Sequence, residues 1–175
     1  MARAELAVAF DDPTCMVFTY RNVVFPVMGR PEPTVEATLA QAKAIERFAA
    51  GLGTRAVHEI SLLDDEFPLP SAEVRGVLEA ASPVISPFYA SVACVYEGLG
   101  FRAALVRGVL ATLQLVSRAD FPQKVFDTPA EAARWTATHG GATGRAALDP
   151  DELTALLAEI RARATERGVL GRRLG

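Results

Sequence analysis

Two periodicities alternate along this chain. Residues Glu5 to Phe10 and Met16 to Val24 are β-prone runs rich in Val, Phe and Tyr. In the second, Val17, Thr19 and Arg21 alternate with Phe18, Tyr20 and Asn22. A period of two places successive side chains on opposite faces of a sheet. Asp11-Asp12-Pro13-Thr14 separates the runs, and proline with acidic residues is turn chemistry, so the pair predicts an opening hairpin. After Pro31-Glu32-Pro33 the period lengthens. Val35, Leu39, Ala42, Ile45, Ala49 and Leu52 recur at steps of three or four, with Thr34 placed as N-cap and Gly51 and Gly53 as the stop. This spacing predicts an amphipathic helix, with Glu36, Gln41, Lys43 and Arg47 mainly on its other side.

Ala56 to Leu63 reads as a third strand, closed by Asp64-Asp65-Glu66, Pro68 and Pro70. A second helix starts near Ser71, turns Val74, Val77 and Leu78 inward, and is ended by Pro83 and Pro87. Tyr89 to Tyr96 is almost unbroken in apolar character, as a central strand covered on both faces should be. Phe101, Leu105, Val109, Leu113 and Val116 mark a third helix, and Lys124-Val125-Phe126 a short last strand. Thr128 with Glu131 forms a capping box, with Pro129 at the first helical position, and opens a helix through Trp135.

The order ββαβαβα, then strand and helix, predicts an α/β fold: a mixed, partly parallel β-sheet with flanking helices. His139-Gly140-Gly141-Ala142-Thr143-Gly144 is a break by composition. It divides an α/β unit over 1–139 from an extension over 140–175. There Asp149-Pro150-Asp151-Glu152 opens a C-terminal helix with an apolar stripe of Leu153, Leu156, Leu157 and Ile160, while Arg161, Arg163 and Arg167 load its end with positive charge.

Composition narrows the function classes. Half of the 175 residues are hydrophobic and 22% are charged, which places the chain away from intrinsic disorder. Eighteen basic against 21 acidic residues give a net charge of −3, so no general positive field draws in a nucleic-acid backbone, and no nucleic-acid partner is expected. Cys15 and Cys94 form no C-x-x-C pair and read as buried reduced thiols. Leu6 to Phe10 is too short for a signal-peptide core, and no apolar run reaches the roughly 18 residues of a membrane span, which together predict a cytoplasmic protein with no membrane span.

Few side chains offer chemistry. Asp64, Asp65 and Glu66 stand at the C-terminal end of a strand, where α/β sheets place ligand sites, and could hold a hard cation. Three consecutive residues, however, do not all point one way, and a solvated loop is the simpler reading. His58 and His139 show no spacing to a nucleophile, and Ser61 and Cys94 lack a nucleophile-elbow pattern. Gly98-Leu99-Gly100 with Arg102 is a weak anion motif and reads as a tight turn. Leu153, Leu157 and Ile160 dock either on their own domain or on a partner.

The opening hairpin, the strand–helix alternation and the closing stretch from Gln123 to Trp135 resemble the STAS-like family of sulfate-transporter and anti-sigma-factor-antagonist domains, over about Glu5 to His139. Regulatory members carry a phosphorylatable serine in an Asp-Ser-Ser/Thr-Gly turn after the third strand. Here that region reads Asp64-Asp65-Glu66-Phe67-Pro68-Leu69-Pro70-Ser71, so Ser71 is the nearest hydroxyl, either a modification site or simply an N-cap.

The resemblance implies binding of proteins, nucleotides or apolar ligands without selecting among them. The expectation is therefore a non-enzymatic regulatory or protein–protein interaction module with no cofactor, acting through its sheet-flanking helices with a protein partner or a second copy. Two alternatives stand beside it. One is a small apolar-ligand or lipid-binding carrier with its cavity under the Phe101 to Val116 helix. The other is a metal-dependent enzyme using the acidic loop 64–66.

Overall fold

The computed structural model of the protein describes residues 5–68, 70–98, 104, 106–108, 119–140 and 147–171. Its elements are β1 (Ala7–Asp11), β2 (Cys15–Tyr20), β3 (Val23–Met28), α1 (Val35–Ala50), β4 (Val57–Leu63), α2 (Ala72–Ile85), a short 3-10 turn (Ser86–Phe88), β5 (Tyr89–Tyr96), β6 (Gln123–Phe126), α3 (Pro129–Gly140) and α4 (Pro150–Glu166). The six strands form one mixed sheet in sequential order. β1, β2 and β3 make an antiparallel meander, and β3 through β6 run parallel. The α/β class with flanking helices, including a C-terminal one, is the architecture expected from the alternating periodicities.

Two details depart from the sequence expectation. The run Met16 to Val24 is not one strand. Tyr20 pairs with Val23 across a two-residue turn at Arg21 and Asn22, where Arg21 takes φ 52° and the Asn22 amide donates to the Ala56 carbonyl at 3.0 Å. An arginine in the left-handed region leaves no trace in a pattern reading that looks for glycine. α2 also continues through Pro83 to Ile85, where the proline leaves one carbonyl of the preceding turn without its helical donor and its ring crowds that carbonyl.

Helix starts follow their caps. Thr34 Oγ1 accepts from the Ala37 amide at 3.1 Å, Ser71 Oγ from Val74 at 3.3 Å, and Thr128 Oγ1 from Glu131 at 3.3 Å. The Asp149 carboxylate accepts from the Asp151 amide at 2.9 Å.

Alternation along the strands divides the core into two sides. Phe18, Phe25, Ile60, Leu62, Val95 and Phe126 face α3 and α4, where Leu153, Leu157 and Ile160 are fully buried against them. The C-terminal helix therefore docks on its own sheet, and the three residues weighed as a partner surface fill this core. Val17, Val24, Val57 and Tyr89 face α1 and α2 with Ala42, Ile45, Ala49 and Ile85. Of the third helix expected from Phe101 to Val116, Ala104 and Val106 to Gly108 are helical, with Val106 packed beside Leu63, Cys94 and Tyr96. The rest of that helix, the Gly98-Leu99-Gly100 motif beyond Gly98, Arg102 and the glycine break over 141–146 lie outside the described residues.

After α4 the chain turns back over the C-terminal edge of the sheet. Val169 and Leu170 are buried, and a Cβ on Gly29 would lie 1.7 Å from the Val169 carbonyl oxygen. Gly29→Ala is accordingly expected to destabilise the protein by at least about 1–3 kcal/mol, since a backbone segment must move. Leu157→Ala, which empties a closed site, is expected to lower stability by about 2–5 kcal/mol. Urea unfolding checks both, and a wild-type midpoint for Leu157→Ala would refute the docking of α4.

Candidate functional site

Glu59 interrupts the apolar run of β4, a strand covered on both faces. It lies on the α1–α2 side, where its half-buried carboxylate has two neutral donors. Ser61 Oγ donates to Oε1 at 2.5 Å, and Tyr89 OH donates to Oε2. A register irregularity at the start of β5 makes this possible. Tyr89 pairs with Val57 while the next matched pair is Ser91 with His58, so Ala90 is an extra residue. Tyr89 thus shares a face with Val92 instead of with Ser91. The Tyr89 ring also stacks at a tilt on Phe121, centroids 5.5 Å apart.

Among the described residues no cationic side chain pairs with Glu59. Desolvation by burial raises its pKa above the ordinary 4.5, with the Ser61 and Tyr89 hydrogen bonds acting in the opposite sense. Burial, then the Glu59 charge, lift the Tyr89 hydroxyl well above 10 and push the Cys94 thiol up to about 12, so both stay protonated.

The carboxylate opens into a cavity of about 230 Å³ lined mainly by apolar side chains, among them Pro26, Met28, Ile45, Leu78, Ile85 and Phe121. Above it, between α1 and α2, runs an outer groove of about 450 Å³, rimmed by Lys43, Glu46 and Glu73. Ala42, Ala81 and Ile85 line both spaces. Leu39, Leu78 and Val84 are 43%, 40% and 49% exposed on this face.

The residues singled out from sequence lie elsewhere. Asp64 is buried and structural. Its Oδ2 accepts from the Gly171 amide at 2.7 Å, its Oδ1 from the Glu66 amide at 2.9 Å, and Arg30 stands 3.6 Å away and pairs with Glu66 as well. Asp65 is exposed, and its carbonyl accepts from Tyr96 OH at 2.6 Å. Asp64 and Glu66 thus meet on the Arg30 guanidinium while Asp65 is exposed, and among the described residues no group of three or more metal-ligating side chains converges. Ser71 is exposed at the start of α2, its amide donating to Glu32 Oε1 at 2.5 Å. Leu153, Leu157 and Ile160 are in the core of the opposite face.

His58 points to that opposite face. It shares a 2.8 Å hydrogen bond with Ser91, so it cannot act on Ser61 or Cys94 across the sheet. Burial, with a smaller effect of His139, holds its pKa down at about 4 from 6.5. No helix among the described residues is long and apolar enough to cross a membrane. No family model, no curated protein and no solved structure matches the chain.

The two polar residues tilt the pH dependence of stability in opposite directions. The depressed His58 value means that the unfolded chain takes up a proton first as pH falls. Its contribution, roughly 3 kcal/mol at about 1.4 kcal/mol per pKa unit, is present above pH 6.5 and lost on acidification toward 4. Denaturant unfolding against pH is expected to show this loss, and His58→Gln to flatten it. The raised Glu59 value has the reverse sign, with stability present below pH 4.5 and lost as pH rises through the folded value. Glu59→Gln should therefore unfold at higher denaturant concentration than wild type at pH 8, with the advantage shrinking toward pH 4.

Proposed function

We propose that this protein is a non-enzymatic protein-binding module, a divergent STAS-like domain of the cytoplasm, whose α1–α2 face receives an apolar protein surface, foremost that of a second copy of the chain. The observation that carries the reading is the position of α2. Of its fourteen residues only Val74 and Ile85 are buried, while Val84 stands exposed with Leu39 of α1 along the outer groove, which Val77 also lines, and Leu78 is exposed at the cavity below. Apolar side chains gathered along a groove rather than scattered singly are the signature of a contact surface.

The rim supports a protein partner over a polyanion, because Lys43 stands with Glu46 and Glu73. A two-fold arrangement of two such grooves sets the lysine of one copy against the acids of the other. The cytoplasmic part of the proposal is supported by Cys15 and Cys94, both buried and unpaired, as suits a reducing compartment. The non-enzymatic part is supported by the C-terminal edge of the parallel strands. Arg30 pairs there with Asp64 and Glu66, Arg161 with Glu97, and Arg107 with Asp127 at 3.0 Å, so these charges serve the fold.

Sedimentation velocity over a concentration series tests the reading. The wild type is expected to shift from monomer to dimer. Leu39→Glu combined with Val84→Glu, two exposed positions whose replacement leaves the core intact, should remain monomeric with an unchanged circular dichroism spectrum. Monomer at every concentration, or a dimer indifferent to both substitutions, would sink self-association through this face.

A further inference from the structure

We propose that the cavity between the sheet and the α1–α2 pair is a binding site for a small lipophilic amine, its ammonium received by the Glu59 carboxylate and its apolar part enclosed by Pro26, Met28, Ile45, Leu78 and Phe121. The outer-face reading is not needed for this. The inference stands on the cavity and on the charge it contains.

Glu59 is the one acidic side chain lining that cavity, and the two groups that satisfy it, the Ser61 and Tyr89 hydroxyls, are neutral. These hydrogen bonds fix the direction of the carboxylate and, among the described residues, no cation supplies its counter-charge. Each carboxylate oxygen has two acceptor positions, and one neutral donor to each leaves room for a third. Arg55, the cation beside Tyr89 and Phe121, is already engaged. It donates to the Tyr89 carbonyl at 3.0 Å, pairs with Asp120, and lies over the outer side of this aromatic pair, 5.5 Å from the Phe121 centroid.

A ligand that complements the cavity must therefore bring a positive charge to one end and hydrocarbon to the other. A neutral alcohol would leave the carboxylate without its counter-charge, and a carboxylate ligand would be repelled. Ammonium donors form charge-assisted bonds to carboxylate, roughly twice as strong as neutral ones, and the faces of Tyr89 and Phe121 favour a cation near them. A half-buried acid that opposes folding at neutral pH, in a strand that Val or Thr would suit, is the kind of local cost that binding sites retain.

The test is titration of the purified protein at pH 7 and constant ionic strength with hexylamine, 1-hexanol and hexanoate, followed by amide chemical shifts in two-dimensional NMR. Hexylamine is expected to bind one-to-one and saturably, at least about tenfold tighter than hexanol, with shifts centred on Ala42, Ala81 and Phe121 and with hexanoate weaker than either. Glu59→Gln should bring amine and alcohol within about twofold of one another. Ala81→Met, which fills the space and keeps the acid, should remove binding of all three.

Equal affinity for amine and alcohol overturns the proposal, as do tighter binding of hexanoate, an amine preference that survives Glu59→Gln, and the absence of saturation by any probe. Shift mapping on the wild type decides the location even where Ala81→Met fails to fold, because perturbations centred on another part of the protein also overturn it. Sedimentation of the same sample separates this outcome from that of the dimer, since the amine can bind to a monomer.

Discussion

Strands that are apolar on both faces must be covered on both. β2 and β3 bury nearly every side chain, with Phe18 and Phe25 on one side and Val17 and Val24 on the other. At about 25 cal/mol for each Å² removed from water, an uncovered face would forfeit the main driving force for folding. One face meets this demand fully. α3 and α4 bring Ala132, Ala133, Leu153, Leu157, Ile160 and Ala164 against the large strand residues, and the returning chain seals the edge by the contact of Gly29 with Val169. On the other face, among the described residues, α1 covers the strands through Ile45 and the small Ala42 and Ala49, and Val106 packs beside Leu63, Cys94 and Tyr96. α2 adds two buried residues, and the remaining space is where Glu59 points.

That asymmetry also decides where recognition is feasible. Parallel α/β sheets commonly bind ligands beyond the carboxyl ends of their strands. Here the described residues at that edge are engaged with one another. Asp64 accepts from the Gly171 amide and from the chain of Glu66, Arg30 and Arg161 pair with acids, and Leu170 is buried beside them. An acidic loop that looks in sequence like a cation site thus acts as a fastening for the C-terminal segment. Among the described residues, exposed Leu39, Leu78 and Val84 and the unpaired Glu59 carboxylate lie on the helical face instead.

What was legible in the sequence follows from how local each cause is. Thr34, Ser71, Thr128 and Asp149 cap their helices because a side-chain oxygen needs only its own next few amides. The continuous apolar run of β5 announces a strand covered on both sides. The split of Met16 to Val24 into β2 and β3 was not legible, because Arg21 and Asn22 make a turn stabilised by the Ala56 carbonyl, thirty-four residues away from Asn22. The stripe Leu153, Leu157 and Ile160 gave the helix but not its receptor, which is assembled from β2 to β6. Glu59 was hidden for a similar reason. A polar residue in a strand reads as a solvent-facing position until the number of covered faces is known, and only the His58-Glu59 pair in one central strand hinted that both faces carry polar groups.

The two polar residues of β4 lie on opposite faces of the sheet and meet different surroundings. His58 is buried, its pKa is held down by that burial, and its Nδ1 shares a hydrogen bond with Ser91, while its Nε2 is buried with no partner among the described residues. Glu59 is directed by Ser61 and Tyr89 into a space that also borders solvent, and among the described residues no cationic side chain pairs with it. The groove above and the cavity below share Ala42, Ala81 and Ile85. An occupant of one that shifts these three side chains alters the affinity of the other, and by linkage the effect is equal in both directions. The shallow docking of α2 is thus the common physical source of the groove and of the cavity beneath it.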